Sequence, residues 1–155
     1  MKAVLQRVKN AAVSVDGKTV GACQEGFLIL LGVAEGDTET DAELLAAKIV
    51  KLRVFKDENG KMNRSVKDIG GELLVISQFT LLADYRHGNR PDFLASAKPD
   101  EANRLYEYFK QLLRRDIPHV DAGIFGADMQ VSLLNDGPVT IVMDSKVLMK
   151  PEKNV

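Results

Sequence analysis

Apolar residues follow two different periods along this chain, and the two periods predict strands and helices. Residues 13–15 alternate apolar and polar side chains, as in a half-buried strand, and the Asp-Gly pair at 16–17 is typical of a two-residue hairpin turn. Residues 27–31 are apolar without interruption, which indicates a strand buried on both faces. The predicted strands cover residues 2–15, 18–23, 27–31, 72–81, 129–134 and 139–143.

Two further segments carry apolar residues at helical spacing. The apolar stripes are Leu45, Ile49 and Leu52 in the first segment and Leu105, Phe109 and Leu112 in the second. We predict the first helix over 41–53, with Thr40 and Glu43 as its capping box. The second helix is predicted from the Pro-Asp pair at 99–100, with the aspartate as cap, to about Arg115.

The order of these elements predicts an α+β fold, within the broad α/β class. The strands form antiparallel hairpins at both ends of the chain, and a turn over 135–138 joins the last two strands. Two helices lie between, and helices on one side of layered sheets would cover every apolar face. We predict a single domain over 1–155, in which 146–155 form a frayed basic tail.

Composition and charge exclude several classes of protein. Of the 155 residues, 45% are hydrophobic and 28% are charged, which is typical of a globular chain. There are 21 basic and 22 acidic residues, so only a local patch can attract nucleic acid. The longest apolar stretch, 27–34, is far shorter than the ~20 residues that cross a bilayer. Because Cys23 has no partner for a disulfide and no signal peptide is recognisable, we expect a cytoplasmic protein with no membrane association.

The standard catalytic motifs are absent from the sequence. It contains no G-x-S-x-G elbow, Walker loop, G-x-G-x-x-G or H-E-x-x-H pattern. Its two histidines, His87 and His119, are too few for a histidine-rich metal centre. His87 is either a general base or an exposed loop residue, and the position of His119 after Pro118 favours a structural role.

Three segments nevertheless group polar side chains where a ligand could meet them. Residues 77–80 end an apolar strand and are either the wet face of an edge strand or donors to a ligand. Residues 135–138 are one candidate for an ordinary hairpin turn. If the Gly-Pro bond is cis, the neighbouring backbone carbonyls would instead point in one direction, where a ligand could meet them. Residues 85–91 place Arg86 and Arg90 beside a tyrosine, in either a solvated loop or a surface for RNA phosphates and bases.

Two of these segments resemble the signature motifs of the D-aminoacyl-tRNA deacylase family. The first motif reads Ser-Gln-Phe-Thr-Leu at 77–81, and the second reads Asn-Asp-Gly-Pro-Val-Thr at 135–140. The resemblance covers essentially the whole chain and includes 5–8, 88–91 and 123–129. Both motifs occur in the family's order and in a chain of the family's length, so the resemblance is specific.

The resemblance implies a fold, a substrate and a partner. The implied fold is a three-layer β/β/α arrangement in a homodimer, and the implied substrate is the 3′ end of an aminoacyl-tRNA. The implied reaction hydrolyses the ester between a D-amino acid, or glycine mischarged on the alanine tRNA, and the terminal adenosine, without a metal or organic cofactor. Residues 85–87 depart from the lysine-rich loops of relatives, which leaves open whether Arg86 and Arg90 bind tRNA.

The resemblance also implies roles for residues that bind the substrate. Gly137 and Pro138, joined by a cis bond in the family, would cross the dimer and accept hydrogen bonds from the amino group of the substrate. An L-side chain would collide with this pair, whereas a D-side chain would point away. Phe125 and Met129 match positions that line the pocket for the terminal adenine in the family, and the alternative is that both residues only pack in the core.

Catalysis is implied at Ser77, Gln78, Phe79 and Thr80. In the family, Thr80 is interpreted in one view as the nucleophile. In the other view, the 2′-hydroxyl of the tRNA has the activating role and backbone amides of the protein stabilise the oxyanion. We favour the second reading because a threonine hydroxyl needs a base, and none lies nearby in sequence. The alternative function is a non-catalytic module that binds aminoacyl-adenosine or RNA, and a generic esterase is disfavoured because no triad motif is present.

Overall fold

The computed structural model describes residues 1–149, which form a six-stranded sheet, a small two-stranded sheet and helices. The strands are β1 (Lys2–Val15), β2 (Lys18–Cys23), β3 (Gly26–Gly32), β4 (Phe55–Lys56), β5 (Met62–Arg64), β6 (Glu72–Ser77), β7 (Val120–Ala122) and β8 (Gln130–Asp144). The helices are α1 (Glu39–Lys51), α2 (Pro99–Arg114) and the short α3 (Ser145–Leu148), with a 3-10 turn over Phe79–Leu82. Within the described residues, no helix has the length and apolar character needed to cross a membrane.

Strand β1 organises the large sheet because it is long enough to pair with three strands. Its first half pairs antiparallel with β3, and its second half forms the predicted hairpin with β2. On its other edge, β8 pairs with β1 from Lys2 to Ser14. The sheet continues from β3 to β6 and from β6 to β7 by parallel pairing.

Two apolar cores on opposite faces of the central strands define three layers. Because side chains alternate along a strand, Phe27 and Ile29 of β3 pack in one core and Leu28 packs in the other. The first core also contains Leu45 of α1 and Phe109 of α2. The second core is formed with residues of the second half of β1, of β2 and of β8. The predicted α+β class and three-layer β/β/α arrangement are therefore confirmed.

Helix α1 begins two residues earlier than the sequence predicted. Its capping box is formed by Thr38 and Asp41, and the prediction of Thr40 and Glu43 is wrong. The backbone amide of Thr38 donates to Asp41 Oδ2 at 2.8 Å, which satisfies a donor that the helix itself leaves free. The helix therefore starts at Glu39, and its first turn carries acidic side chains that favour a helix N-terminus.

Helix α2 and strand β6 also differ from the prediction at their ends. Proline has no N–H to lose at the first helical position, so α2 begins at Pro99 itself and Asp100 lies inside the first turn. Strand β6 stops at Ser77, where the chain enters the 3-10 turn. The polar residues that follow β6 consequently leave the sheet instead of extending it.

Strand β8 is one strand where the sequence predicted two strands of a hairpin. Both halves of β8 pair with β1 in the same antiparallel direction. Val8 of β1 pairs with Asn135 of β8, and Gln6 of β1 pairs with Thr140 of β8. Residues 136–139 of β8 therefore bulge out opposite the single β1 residue between these two pairs. The prediction that residues 135–138 form a hairpin turn is therefore wrong, and the Gly-Pro pair lies instead in this bulge.

Helix α3 occupies part of the segment that was predicted as a frayed tail. Ser145 is buried, and its hydroxyl donates to Asp41 Oδ1 at 2.6 Å. The ammonium of Lys146 lies 3.0 Å from the same carboxylate oxygen. These contacts tie the end of β8 to the start of α1, so the tail prediction is wrong for α3. The remainder of the predicted tail, from residue 150, lies outside the described residues.

Acid should weaken the fold through Asp41. Burial opposes ionisation of this side chain, but hydrogen bonds from Ser145, the Thr38 backbone and Lys146 outweigh burial and lower its pKa from 3.8 to about 2. A lowered pKa stabilises the folded state fully above the ordinary value of 3.8, and this stabilisation is lost as the pH falls through about 2. The effect on the free energy of unfolding is about 2 kcal/mol.

Urea unfolding at neutral pH, near pH 4 and near pH 2 measures this contribution. We expect Asp41→Asn to be less stable than the parent protein at neutral pH and to lose less stability between about pH 4 and about pH 2. An equal loss in both proteins over that interval would show that Asp41 does not carry the effect.

Candidate active site

A cavity of about 470 Å³ opens where the carboxyl ends of β3 and β6 meet the start of α2. Small-molecule sites typically occupy apolar clefts of about 300–1,000 Å³ with a few polar groups, and this cavity fits that description. The lining residues are Val33, Ser77, Gln78, Phe79, Ser96, Ala97, Pro99, Ala102, Phe125, Gly126, Ala127 and Met129.

Residues 77–79 form the polar wall of the cavity, at the end of β6. The backbone amide of Gln78 donates to the Leu31 carbonyl at 2.7 Å, which holds this wall against β3. Gly32 permits the close approach, because a Cβ there would lie 2.6 Å from Leu82 Cδ2. The structure therefore places three of the four predicted catalytic residues in the wall of one cavity.

Phe79 lies at the mouth of the cavity with 56% of its side chain exposed. Its ring and the ring of Phe93 pack edge-to-face, with a centroid distance of 5.1 Å. The hydroxyl of Ser96 donates to the Phe79 carbonyl at 3.3 Å and so joins two walls of the cavity. The mouth thus presents an exposed aromatic face next to a polar wall.

Thr80, the fourth predicted catalytic residue, is exposed and does not line the cavity. Its Oγ1 accepts a hydrogen bond from the side-chain amide of Gln78. An amide cannot take a proton from a hydroxyl at neutral pH, so this contact does not activate Thr80 as a nucleophile.

Neither histidine lines the cavity. His119 has its Nε2 2.8 Å from the Ala22 carbonyl, and His87 is exposed in a loop.

Phe125 and Met129 lie together in another wall of the cavity. The Phe125 ring packs at 6.1 Å from the ring of Tyr106, whose hydroxyl donates to the Val75 carbonyl at 3.0 Å. Gly123 leaves room for Met129, because a Cβ there would lie 2.5 Å from the methionine sulfur. These contacts give the wall a fixed, apolar surface of a kind on which a planar ring packs well.

Gly137 and Pro138 lie in the β8 bulge, are exposed and do not line the cavity of their own chain. The peptide bond between them is cis. Arg7 of β1 lies beneath the bulge with only 3% of its surface exposed. Its Nε donates to the Asp136 carbonyl at 3.1 Å, and its Nη1 donates to the Val54 carbonyl at 2.6 Å.

The charge of Arg7 is balanced within the bulge. Asp136 Oδ2 lies 3.6 Å from Arg7 Nε and 3.6 Å from the exposed ammonium of Lys9. A Cβ on Gly137 would come within 2.8 Å of Arg7 Nη2, so only glycine allows the guanidinium to lie so close to the backbone. The bulge is therefore held from below by a buried, charged side chain.

The two arginines that were predicted to contact tRNA differ in their surroundings. The guanidinium of Arg86 binds the carboxylate of Asp84, and this hydrogen bond lowers the pKa of Asp84 to about 2. Arg90 is exposed in the same loop, which Asp84 and Asp92 close by paired backbone hydrogen bonds. Much of the Arg86 charge is therefore compensated within the loop itself.

Sequence reasoning missed the cavity walls formed by Ser96, Ala97 and Ala102, because small residues without periodicity give no signal. It also missed the position of Arg7, although a signal was present. The alternation of β1 places Arg7 on the same buried face as Ala3 and Leu5, and a charge at such a position needs specific partners.

Comparisons with known proteins identify the family of this chain. The family model for D-Tyr-tRNA(Tyr) deacylase matches residues 4–144. A D-aminoacyl-tRNA deacylase of Thermus aquaticus is 58% identical over 94% of this chain and 95% of its own length. A D-aminoacyl-tRNA deacylase of Thermosipho africanus is 57% identical over 94% of this chain and 98% of its own length.

Solved structures show the same architecture. A c-Myc DNA unwinding element binding protein superposes with a TM-score of 0.88 at 43% identity, covering 93% of this chain and 98% of that one. A probable eukaryotic D-amino acid tRNA deacylase shares the fold with a TM-score of 0.78 at 15% identity, over 92% and 98% of the two chains. With the family model and the relatives in agreement over nearly the whole length, this chain belongs to the D-Tyr-tRNA(Tyr) deacylase family of hydrolases.

Proposed function

We propose that this protein hydrolyses the ester between a D-amino acid, or glycine, and the terminal adenosine of a tRNA. The observation that carries the proposal is the cavity, which joins the polar wall at 77–79 to the apolar wall of Phe125 and Met129 in a chain of this family. An apolar wall of this kind suits a stacked adenine, and the polar wall suits the ester carbonyl. A cytoplasmic location fits a tRNA substrate.

In the proposed reaction, water attacks the ester carbonyl carbon, the bond to the ribose oxygen breaks, and that oxygen takes up a proton. Phe79 lines the cavity and begins the 3-10 turn, and the leading N–H groups of a helical turn have no acceptor within it. The Phe79 N–H is therefore suited to stabilise the developing oxyanion. Because Thr80 contacts the Gln78 amide and not a base, we assign the activating role to the 2′-hydroxyl of the tRNA.

We also propose that Gly137 and Pro138 complete the cavity of a second subunit and reject L-aminoacyl groups. Backbone carbonyls of the bulge would accept hydrogen bonds from the substrate ammonium, which fixes where the side chain points. An L-side chain then meets the bulge, a D-side chain points away, and glycine has none to reject. In support, the bulge is exposed, and β8 presents Leu134 and Val142 to solvent with 55% and 76% of their surfaces exposed. A homodimer would cover these residues.

Release of labelled D-tyrosine, L-tyrosine and glycine from matched charged tRNAs tests the activity. We expect rapid release of D-tyrosine and glycine, including glycine from the alanine tRNA, and little release of L-tyrosine. Binding of the charged tRNA without release of any amino acid would instead support the non-catalytic binding module.

Sedimentation tests the assembly, and a monomer with full activity and full preference for the D-form would contradict the role of a second subunit.

Replacing Thr80 with alanine should slow D-tyrosine release by less than about 10-fold, far below the ~10⁶-fold cost of removing a covalent nucleophile. The physical reason is that the Thr80 hydroxyl has no base to activate it and lies outside the cavity. Single-turnover deacylation measures the effect, and Thr80→Ser is the matched control. Trapping of an acyl ester on Thr80 would refute the prediction.

We propose that the loop around Arg90 contacts the tRNA outside the cavity. Arg90 is exposed, whereas Arg86 is bound to Asp84, so Arg90 is the stronger candidate for a phosphate contact. Filter binding of tRNA at several salt concentrations tests this assignment. Arg90→Ala should weaken binding and reduce its salt dependence, and Arg86→Ala should have the smaller effect.

A further inference from the structure

The small sheet of β4 and β5 is attached to the β8 bulge. Arg7 joins the two, because it donates to the Asp136 carbonyl at 3.1 Å and to the Val54 carbonyl at 2.6 Å. A cleft of about 110 Å³ is lined by residues of both, including Asp136 of the bulge and Lys56 of β4. Phe55 is 2% exposed and anchors the small sheet in the first core. The position of the small sheet relative to the bulge is therefore fixed.

The segment 53–64, which contains β4 and β5 and which we call the basic hairpin, carries more positive than negative charge. Its two carboxylates are Asp57 and Glu58, and its four cations are Arg53, Lys56, Lys61 and Arg64. All four cationic side chains are exposed. None of the four forms an ion pair with another of the residues that the structure describes. In a chain of net charge −1, this is a local patch that can attract an anion.

Hydrogen bonds within the basic hairpin fix its backbone. Asp57 Oδ1 accepts from the amides of Asn59 and Lys61, both at 2.9 Å. Asp57 Oδ2 accepts from the side-chain amide of Asn63 at 2.9 Å, so this carboxylate closes the turn. Arg53 Nε donates to the Asn63 carbonyl at 2.9 Å, a neutral contact that orients the guanidinium without compensating its charge. The hairpin thus presents its cations on an ordered backbone.

We propose that the basic hairpin binds phosphates of the tRNA whose 3′ end occupies the cavity of the other subunit. This inference rests on the proposed function, in which the bulge of one subunit completes the cavity of the other. Because Arg7 attaches the hairpin to the bulge, a bulge that enters the opposite cavity brings the hairpin to the rim of that cavity. An RNA with its terminal adenosine in the cavity leaves through this rim, where its phosphates meet the exposed cations.

The proposed surface excludes Lys9, although Lys9 also lies beside the bulge. Its ammonium is 3.6 Å from Asp136 Oδ2, so its charge is compensated there. On the opposite side of the cavity mouth, the loop that carries Arg90 is held to the mouth by the contact of Phe93 with Phe79. The tRNA would then lie between the Arg90 loop of one subunit and the basic hairpin of the other. The two subunits would share the binding of one tRNA.

The salt dependence of tRNA binding gives the first test, with the double variant Lys56→Ala/Lys61→Ala. Two lost phosphate contacts should lower the slope of log K against log salt by about 2, so between 50 and 200 mM salt the parent loses about 10-fold more affinity than the variant. The control Lys18→Ala/Lys67→Ala removes the same charge from exposed lysines outside the hairpin and should keep the parent slope. Filter binding of uncharged tRNA measures both. An unchanged slope in the hairpin variant, or an equal fall in the control, would overturn the proposal.

Mixed dimers show which cavity the hairpin serves. Two affinity tags isolate a dimer with Ala97→Phe and the double hairpin variant in one subunit beside a parent subunit, and a dimer with one change in each subunit. In the first, the open cavity faces the variant hairpin, and kcat/KM for D-tyrosyl-tRNA at about 200 mM salt should be about 10-fold lower than in the second. Equal rates, or the reverse order, would contradict binding by the opposite subunit.

The same measurements separate this inference from the function on which it rests. No release of D-tyrosine by the parent protein, or sedimentation as a monomer, would refute the proposed function and the hairpin's role together. An active parent dimer with equal rates in the two mixed dimers would refute the role of the hairpin alone. A hairpin variant that dissociates into monomers but binds tRNA with the parent slope would make the hairpin a subunit contact and likewise overturn the proposal.

Discussion

Replacing Arg7 with alanine should abolish most of the hydrolysis of D-aminoacyl-tRNA and lower the stability of the fold. Arg7 is 3% exposed and donates hydrogen bonds to the backbone carbonyls of Asp136 and Val54, which join the β8 bulge to the body of the protein. Without it, the buried side of the bulge loses a charged partner, and the free energy of unfolding should fall by about 3–5 kcal/mol. A shift of the bulge by about 1 Å is enough to slow turnover about 100-fold.

Lys9→Ala is the matched control for this change. Lys9 contacts the same carboxylate of Asp136, also at 3.6 Å, but its side chain is 53% exposed. A surface ion pair of this kind contributes at most about 1 kcal/mol, so Lys9→Ala should leave both stability and turnover nearly unchanged. Urea unfolding and single-turnover release of D-tyrosine measure the two effects. If folded Arg7→Ala retains the parent rate and the preference for the D-form, the bulge is not part of the site.

Replacing Ala97 with phenylalanine should block the cavity and reduce kcat/KM for D-aminoacyl-tRNA by about 100-fold or more, because the substrate can no longer reach its productive position. Ala97 lines the cavity, and its backbone is fixed by the hydrogen bond from its amide to the Val33 carbonyl at 3.0 Å. The direction of a larger side chain at this position is therefore set by the backbone, and a phenyl ring would occupy space that we assign to the substrate.

Ala95→Phe provides the comparison, since Ala95 lies two residues away but is exposed and does not line the cavity. We expect Ala95→Phe to retain activity and Ala97→Phe to lose it, with both proteins folded by circular dichroism. Equilibrium binding of 3′-terminal aminoacyl-adenosine analogues should weaken in parallel with activity. Unchanged kinetics in folded Ala97→Phe would show that the substrate binds elsewhere.

Local patterns in the sequence predicted most of the secondary structure correctly. Alternating or uninterrupted apolar residues located β1, β2 and β3, and the apolar stripes located α1 and α2, because burial of one face imposes a period on each element. Some errors lie at ends and caps, as with Thr38 and Asp41, where several nearby polar residues offer the same hydrogen bonds and only the geometry selects between them. The larger errors are the hairpin predicted within β8 and the tail predicted over α3, where contacts with distant segments decide the structure.

The candidate site was only partly accessible from the sequence. The resemblance identified residues 77–80, Phe125 and Met129, and the structure brings all but Thr80 into the wall of one cavity. The small residues that form the remaining walls gave no signal, since their contribution is the space that they leave open. Gly137 and Pro138 do not join this cavity within one chain, so their place in the site stays a prediction that depends on a second subunit.

The sequence by itself determined the family, the layers and the residues available for chemistry, because motifs and periodicity are properties of neighbouring positions. The tertiary structure decided what depends on distant segments: the pairing of both halves of β8 with β1, the burial of Arg7 beneath the bulge and the hydrogen bond from Ser145 to Asp41. Each of these features joins residues more than one hundred positions apart. No local pattern specifies such pairs, because their free energy arises only when the layers pack together and exclude water.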